Sequence, residues 1–218
     1  MKEFDKYTDI EIARKIINGE IELFEIIIRR YNPYIYKIGR SYNYNHEDTQ
    51  DLMQDTFIDA YTALSKFENR SSLKTWIIKI MLNNCYKKQH KWSSKNITSS
   101  EINDYSKPLF STNENTDPIK KVMRKELNIV IENALEHIPL HYRLVFILRE
   151  VNGLNIVETA EALEISETNV KTRLNRAKSM LRKEVEKSYS AEDIFEFNLI
   201  YCDAIVQCVM KKLKEIIQ

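Results

Sequence analysis

The stretch Gly153–Val185, GLNIVETAEALEISETNVKTRLNRAKSMLRKEV, decides how the rest of the chain is read. It reads as two helices joined by a tight turn. Asn155 is placed to cap the first, and Glu158 three residues on completes a capping box. Ser166 is placed to cap the second, with Ile165 and Val170 on either side as a hydrophobic staple. Along the second helix Val170, Leu174, Ala177, Leu181 and Val185 recur at helical spacing and form one apolar stripe. At about 100° per residue, Thr168, Thr172, Asn175, Arg176 and Ser179 face the other way, flanked by Lys171, Arg173 and Lys178. Lys and Arg bind phosphate, while Thr, Asn and Arg reach base edges, so the pattern suits a helix lying in a DNA major groove. A solvated helix on a small bundle would show the same periodicity.

Working outward, 218 residues allow one or two domains. Only three glycines and four prolines interrupt long stretches of helical period, which predicts an all-α fold. The net charge of +1 is silent on a nucleic-acid partner, but its distribution is not. Seven Lys or Arg lie between Lys171 and Lys187 against two glutamates, whereas five acids and no base lie between Glu47 and Asp59. Segregated charge implies different partners for different faces. The charged N-terminus has no apolar core, so no signal peptide is expected, and no apolar run is long enough to span a bilayer. Together these predict a cytoplasmic protein. The three cysteines are expected to be buried thiols.

Thr8 to Glu11 is a capping box that opens a short helix ending near Gly19. A second helix is expected from Ile21 to Tyr42, with Pro33 a source of a kink. The third, from Asn45 to Leu64, buries Met53, Phe57, Ala60, Tyr61 and Leu64. It carries Glu47, Asp51, Asp55 and Asp59 at four-residue spacing. Like charges at that spacing repel by a few tenths of a kcal/mol per pair, roughly. The edge is either a tolerated solvated face or a docking edge for a basic partner. Phe67 to Ser72 is a loop. The fourth helix, Leu73 to Trp92, turns basic in its second half, with Lys87, Lys88, His90, Lys91 and, beyond its end, Lys95. Interleaved with Trp76, Tyr86 and Trp92, these suit single-stranded nucleic acid, whose phosphates attract cations and whose bases stack on rings. A bundle helix with core aromatics and solvated lysines fits as well.

Residues 93–117 lack an apolar period and read as a mobile linker. Pro118 then starts a helix running to about His137, and Pro139 starts another over Leu140 to Val151. His137 and His141 have metal-pair spacing, but Pro139 lies between them and no acid or Cys motif completes a site. The tail from Ala191 is a further amphipathic helix or pair, and its Cys202 and Cys208 form no CxxC motif. No phosphate-cradling glycine loop, nucleophile elbow or HExxH occurs, so neither catalysis nor a cofactor is expected.

Three stretches together resemble the extracytoplasmic-function group of bacterial sigma factors, in the sigma-70 family. GEIELFEIIIRRYNPYIYKIGRSY (19–42) is similar to the family's first core-binding helix. EDTQDLMQDTFIDAYTALSKFENRSSLKTWIIKIMLNNC (47–85) is similar to its polymerase-docking and minus-ten regions. LEHIPLHYRLVFILREVNGLNIVETAEALEISETNVKTRLNRAKSMLR (135–182) is similar to its minus-thirty-five domain.

The resemblance implies two helical domains, a sigma-2-like unit over 5–92 and a sigma-4-like unit over 118–187. The linker 93–117 would join them, and an extension over 188–218 would follow. It implies that Asp48, Asp51, Leu52, Gln54, Asp55 and Phe57 contact the clamp helices of the largest subunit of core RNA polymerase. Phe67, Asn69, Arg70 and Ser71 would form a pocket for a base flipped from the minus-ten element, with Asn83 and Lys87 beside it. Thr168, Asn169, Lys171, Thr172, Arg173 and Arg176 would face the minus-thirty-five element. The implied partners are core polymerase, promoter DNA and an anti-sigma factor. Relatives often carry a basic residue and glycine where this loop has Glu68-Asn69-Arg70, and a glycine before the recognition-helix threonine. The rival readings are a helix–turn–helix regulator that never binds polymerase and a purely protein-binding module.

Overall fold

In the computed structural model, residues 7–93 and 118–188 are described, together with Val206, Val209 and Met210; the side chains of 92, 93, 118–126 and 188 are not. The linker and the tail therefore lie almost wholly outside the described residues, as do Lys95, Cys202, Cys208 and the side chain of Trp92. The described residues are helical, without strands.

α1, Asp9–Ile17, opens on the expected capping box: the Thr8 hydroxyl accepts the Glu11 N–H at 3.3 Å and the Glu11 carboxylate accepts the Thr8 N–H at 2.7 Å. It buries Ile12, Ala13 and Ile16. A 3-10 turn over Ile21–Leu23 leads into α2, Phe24–Ser41, so the second helix begins with a tighter turn than its period suggests. Pro33 sits inside α2 on its exposed side, where water can satisfy the carbonyl that loses its donor. Near the end of α2, Gly39 permits a close approach: a Cβ there would meet Thr49 Cγ2 at 2.6 Å and Met81 Cε at 3.0 Å. α3, His46–Ala63, is capped by the Asn45 side chain, which accepts the Asp48 N–H at 2.7 Å. α4, Leu73–Ser93, starts on the Ser72 hydroxyl, which accepts the Thr75 N–H at 3.1 Å.

The second half comprises α5, Pro118–Glu136, α6, Leu140–Phe146, α7, Ile156–Leu163, and α8, Glu167–Ser188. The single helix expected over Leu140 to Val151 instead changes pitch. Ile147–Val151 form a π-helical turn, and the Asn152 N–H reaches the Ile147 carbonyl at 2.8 Å. The widened turn ends in a loop at Asn152 to Leu154, which touches the N-terminal helices. The Asn155–Glu158 capping box forms as expected, and Ser166 Oγ accepts the Asn169 N–H at 3.2 Å. Ile165 packs on the cluster that holds Val170, which closes the turn.

The two halves are not separate bodies. One apolar cluster runs through α1 to α4 and continues into Leu144, Leu148, Leu154 and Ala162 of the second half. Smaller clusters centre on Leu135, Ile138 and Ile147, and on Val145, Ala160 and Val170. Polar contacts cross the same seam. Asn152 donates to the Tyr34 carbonyl at 3.2 Å, Lys74 donates to the Asn152 carbonyl, and Arg143 donates to Asn43.

Candidate nucleic-acid and protein-binding surfaces

Three surfaces carry the candidate residues. The first is the outer edge of α3, where Glu47, Asp51, Gln54 and Asp55 are exposed. Two expectations are corrected here. Leu52 and Phe57 are buried, at 4% and 7% exposure, because they lie on the side of α3 that packs into the bundle. Leu52 holds the acidic edge outward from within, while Phe57 also forms part of the wall of an apolar groove beside that edge. Asp48 is half-buried and ion-paired with Lys88 of α4, so its charge is already spent inside the unit. Asn84, buried beside exposed Asn83, donates to Asp59 at 3.0 Å and clips α4 to α3. Past the acidic edge, an apolar groove of about 520 Å³ opens between the start of α2 and the end of α3. Ile21, Phe24, Ile28, Phe57, Ile58 and Tyr61 line it, with Glu22 and Glu25 among them. No local period in the sequence marks this groove, because it joins residues from two helices.

The second surface is a cavity of about 390 Å³ at the start of α4. It brings together Phe67, Arg70, Ser71 and Asn83 from the expected set. It does not include Asn69 or Lys87. Asn69 turns the loop, with a left-handed backbone at φ 56°, a conformation that asparagine tolerates better than most residues. Lys87 is exposed one turn beyond Asn83. Among the lining residues outside the expected set are Trp76, Ile80 and three charged side chains, Lys66, Lys79 and Glu161. Lys79 stands one helical turn before Asn83 and could have been found by that spacing. Glu161 could not, since it comes from α7. The Phe67 and Trp76 rings lie 5.0 Å apart at the cavity wall, so Trp76 both packs and lines. Arg70 pairs with Glu68 at 2.6 Å on the open side.

The third surface is α8. Thr168, Asn169, Lys171, Thr172 and Arg176 are exposed, Arg173 is half-buried, and Val170 and Ala177 are fully buried on the opposite face. Arg176 donates to the Tyr142 hydroxyl at 3.1 Å, and Lys178 pairs with Glu150 at 2.9 Å. Both bonds hold long cationic side chains in place along the helix.

Comparison with known proteins now bears on these surfaces. The model of sigma-70 region 2 matches residues 27–92, and that of sigma-70 region 4 matches residues 129–181. The chain belongs to the sigma-70 family. Relatives of this sigma factor come from its extracytoplasmic-function group. The ECF RNA polymerase sigma-E factor of Escherichia coli K12 is 24% identical over 186 residues, spanning 84% of this chain and 96% of that protein. That of Haemophilus influenzae is 21% identical over 186 residues, spanning 84% and 97%. Solved structures share the fold. CnrH in complex with the cytosolic domain of CnrY matches with a TM-score of 0.61 at 22% identity, over 83% of this chain and 99% of that one. The sigma factor RpoE in complex with the anti-sigma factor NepR from Bartonella quintana matches at 0.58 and 20%, over 75% and 96%. No helix among the described residues is long and apolar enough to cross a membrane.

Proposed function

We propose that this sigma factor binds core RNA polymerase through α3, reads duplex promoter DNA through α8 and holds the opened minus-ten strand at the cavity beside α4. It acts in the cytoplasm without catalysing a reaction of its own. The observation that carries this reading is the coexistence, on one helical bundle, of an exposed acidic edge with an aromatic, basic cavity.

The docking face is the acidic edge together with the groove beside it. Asp51 and Asp55 are exposed and repel one another along α3; a basic helical partner relieves that repulsion and covers the apolar lining of the groove. At the cavity, flipping a base out of the stack costs a few kcal/mol, roughly. Stacking against Phe67 and Trp76 and hydrogen bonds from Asn83 and Ser71 offset that cost, while Lys66, Arg70 and Lys79 meet the strand's phosphates. On α8, Lys171 and Arg173 grip phosphate, and Thr168, Asn169, Thr172 and Arg176 reach base edges. We assign residues 5–92 to the first activity, 118–187 to the duplex, and the segment 93–117 to the connection between them. An anti-sigma factor is the partner that would block these surfaces.

The deciding experiment is in vitro transcription with purified core polymerase on genomic fragments, followed by start-site mapping. The expected result is initiation from discrete promoters, lost when Asp51 and Asp55 are both reversed to Lys. Duplex binding by a chain that shows no polymerase binding before the reversal would favour a helix–turn–helix regulator that never docks on polymerase, and full polymerase binding by the reversed variant would remove α3 as the docking edge.

A further inference from the structure

Arg176 is exposed on α8, yet its guanidinium is not loose. Its Nη1 donates to the Tyr142 hydroxyl at 3.1 Å. Tyr142 belongs to α6 and is itself fixed. Its N–H donates to the Pro139 carbonyl at 2.9 Å, and its ring packs on the cluster of Leu135, Ile138 and Ile147. The hydroxyl therefore stands at a set place beside α8. With Nη1 engaged, the edge formed by Nε and Nη2 makes no hydrogen bond among the described residues. That edge is a planar fork of donors, the shape that meets O6 and N7 of guanine in the major groove. Asn169 and Thr172 precede Arg176 by two turns and one turn on the same exposed side of the helix.

We propose that Tyr142 is a specificity-determining positioning residue: its hydroxyl holds Arg176 back from the phosphates and aims the remaining fork at a guanine edge. The inference rests on the duplex-reading role assigned to α8. An untethered arginine in the groove has two competing partners, a base edge and a phosphate, and the phosphate contact carries no sequence information. The tether restricts the swing toward the backbone. It also orders the side chain before DNA arrives, which lowers the cost of ordering it at the base. Lys171, exposed on the same helix, has no such tether among the described residues and is left to follow phosphate. Phenylalanine in place of Tyr142 would fill the same space in the cluster and leave the guanidinium loose.

The test compares the full chain with Tyr142→Phe, Arg176→Ala and the double variant. Each is incubated with a labelled pool of duplexes that carry a random central tract. Bound molecules are sequenced, and anisotropy reads the affinity for the pool. The full chain is expected to enrich guanine at a position that Arg176→Ala flattens by about fivefold or more. Tyr142→Phe is expected to flatten that same position by about threefold, with other positions and pool affinity kept within about twofold. The double variant is expected to match Arg176→Ala, because the hydroxyl acts only through that side chain. Full guanine preference in Tyr142→Phe overturns the proposal and leaves base reading by α8 intact. Equal flattening of every position also overturns it, since that marks loosened helix packing, as does a further loss in the double variant. A full chain that enriches no sequence removes the base-reading role of α8, and the aiming of Arg176 with it.

Discussion

Lys79 and Glu164 stand 2.9 Å apart across the seam, one from each half of the chain. Both side chains are partly exposed, at 37% and 73%, so water screens the pair and its attraction is modest. Its position matters more than its strength. It joins the rim of the cavity at the start of α4 to the turn of the helix–turn–helix.

Glu164 carries a backbone cost as well as a bridge. Glu164→Gly and Glu164→Ala both remove the bridge, but only glycine relaxes at positive φ. The glycine variant is expected to be more stable than the alanine variant by about 1 kcal/mol. Thermal melts of both read this difference directly. Equal melting temperatures would mean that the left-handed turn carries no strain.

Gly39 has no room for a methyl group. Gly39→Ala pushes Thr49 and Met81, which belong to α3 and α4, so the whole four-helix packing must shift. The expected cost is about 1–3 kcal/mol of stability, measured by urea unfolding. An unchanged midpoint would show that the α2–α3 contact is looser than it looks.

The recognition helix makes a salt-dependent prediction. Arg173→Ala and Arg176→Ala should each weaken duplex binding by about five- to tenfold at low salt. A residue that contacts phosphate should also lower the slope of log affinity against log salt by about 1. Anisotropy titrations over a salt series separate the two behaviours. If neither variant changes duplex affinity, α8 is not the DNA-reading helix.

Alkaline pH should weaken the fold. Burial pushes the Cys85 thiol from an ordinary 9.0 up to about 12. It also pushes up the phenols of Tyr31, Tyr42 and Tyr44. The folded state therefore keeps protons that the unfolded state has released. Stability is full below about pH 9 and falls as pH rises from there toward 12. Melting temperatures between pH 7.5 and 10.5 should show the decline, and Cys85→Ala should remove its earliest part. A flat profile would contradict the burial of these groups.

Much of this was legible from local signals. The capping residues Thr8, Asn45, Asn155 and Ser166 stand next to the bonds they make, so sequence alone located those helix starts. The polar and apolar faces of α8 follow from its period. Leu52 was misread because a family-matched position was taken for surface, whereas the burial of Phe57 followed from its spacing on α3 and only its place in the groove wall did not. The pairings of Asp48 with Lys88, Asn152 with Tyr34, and Glu161 with the cavity link residues far apart in the chain, and no local pattern reports them. The π-helical turn at Ile147 was equally invisible: its residues have good helical character, and the shared core that Leu148 and Leu154 enter is built from helices distant in the chain.

The apolar cluster that runs from α1 to α4 into Leu144, Leu148, Leu154 and Ala162 has a thermodynamic consequence. Neither half keeps its full core without the other, so heat or denaturant should dismantle both in one cooperative transition.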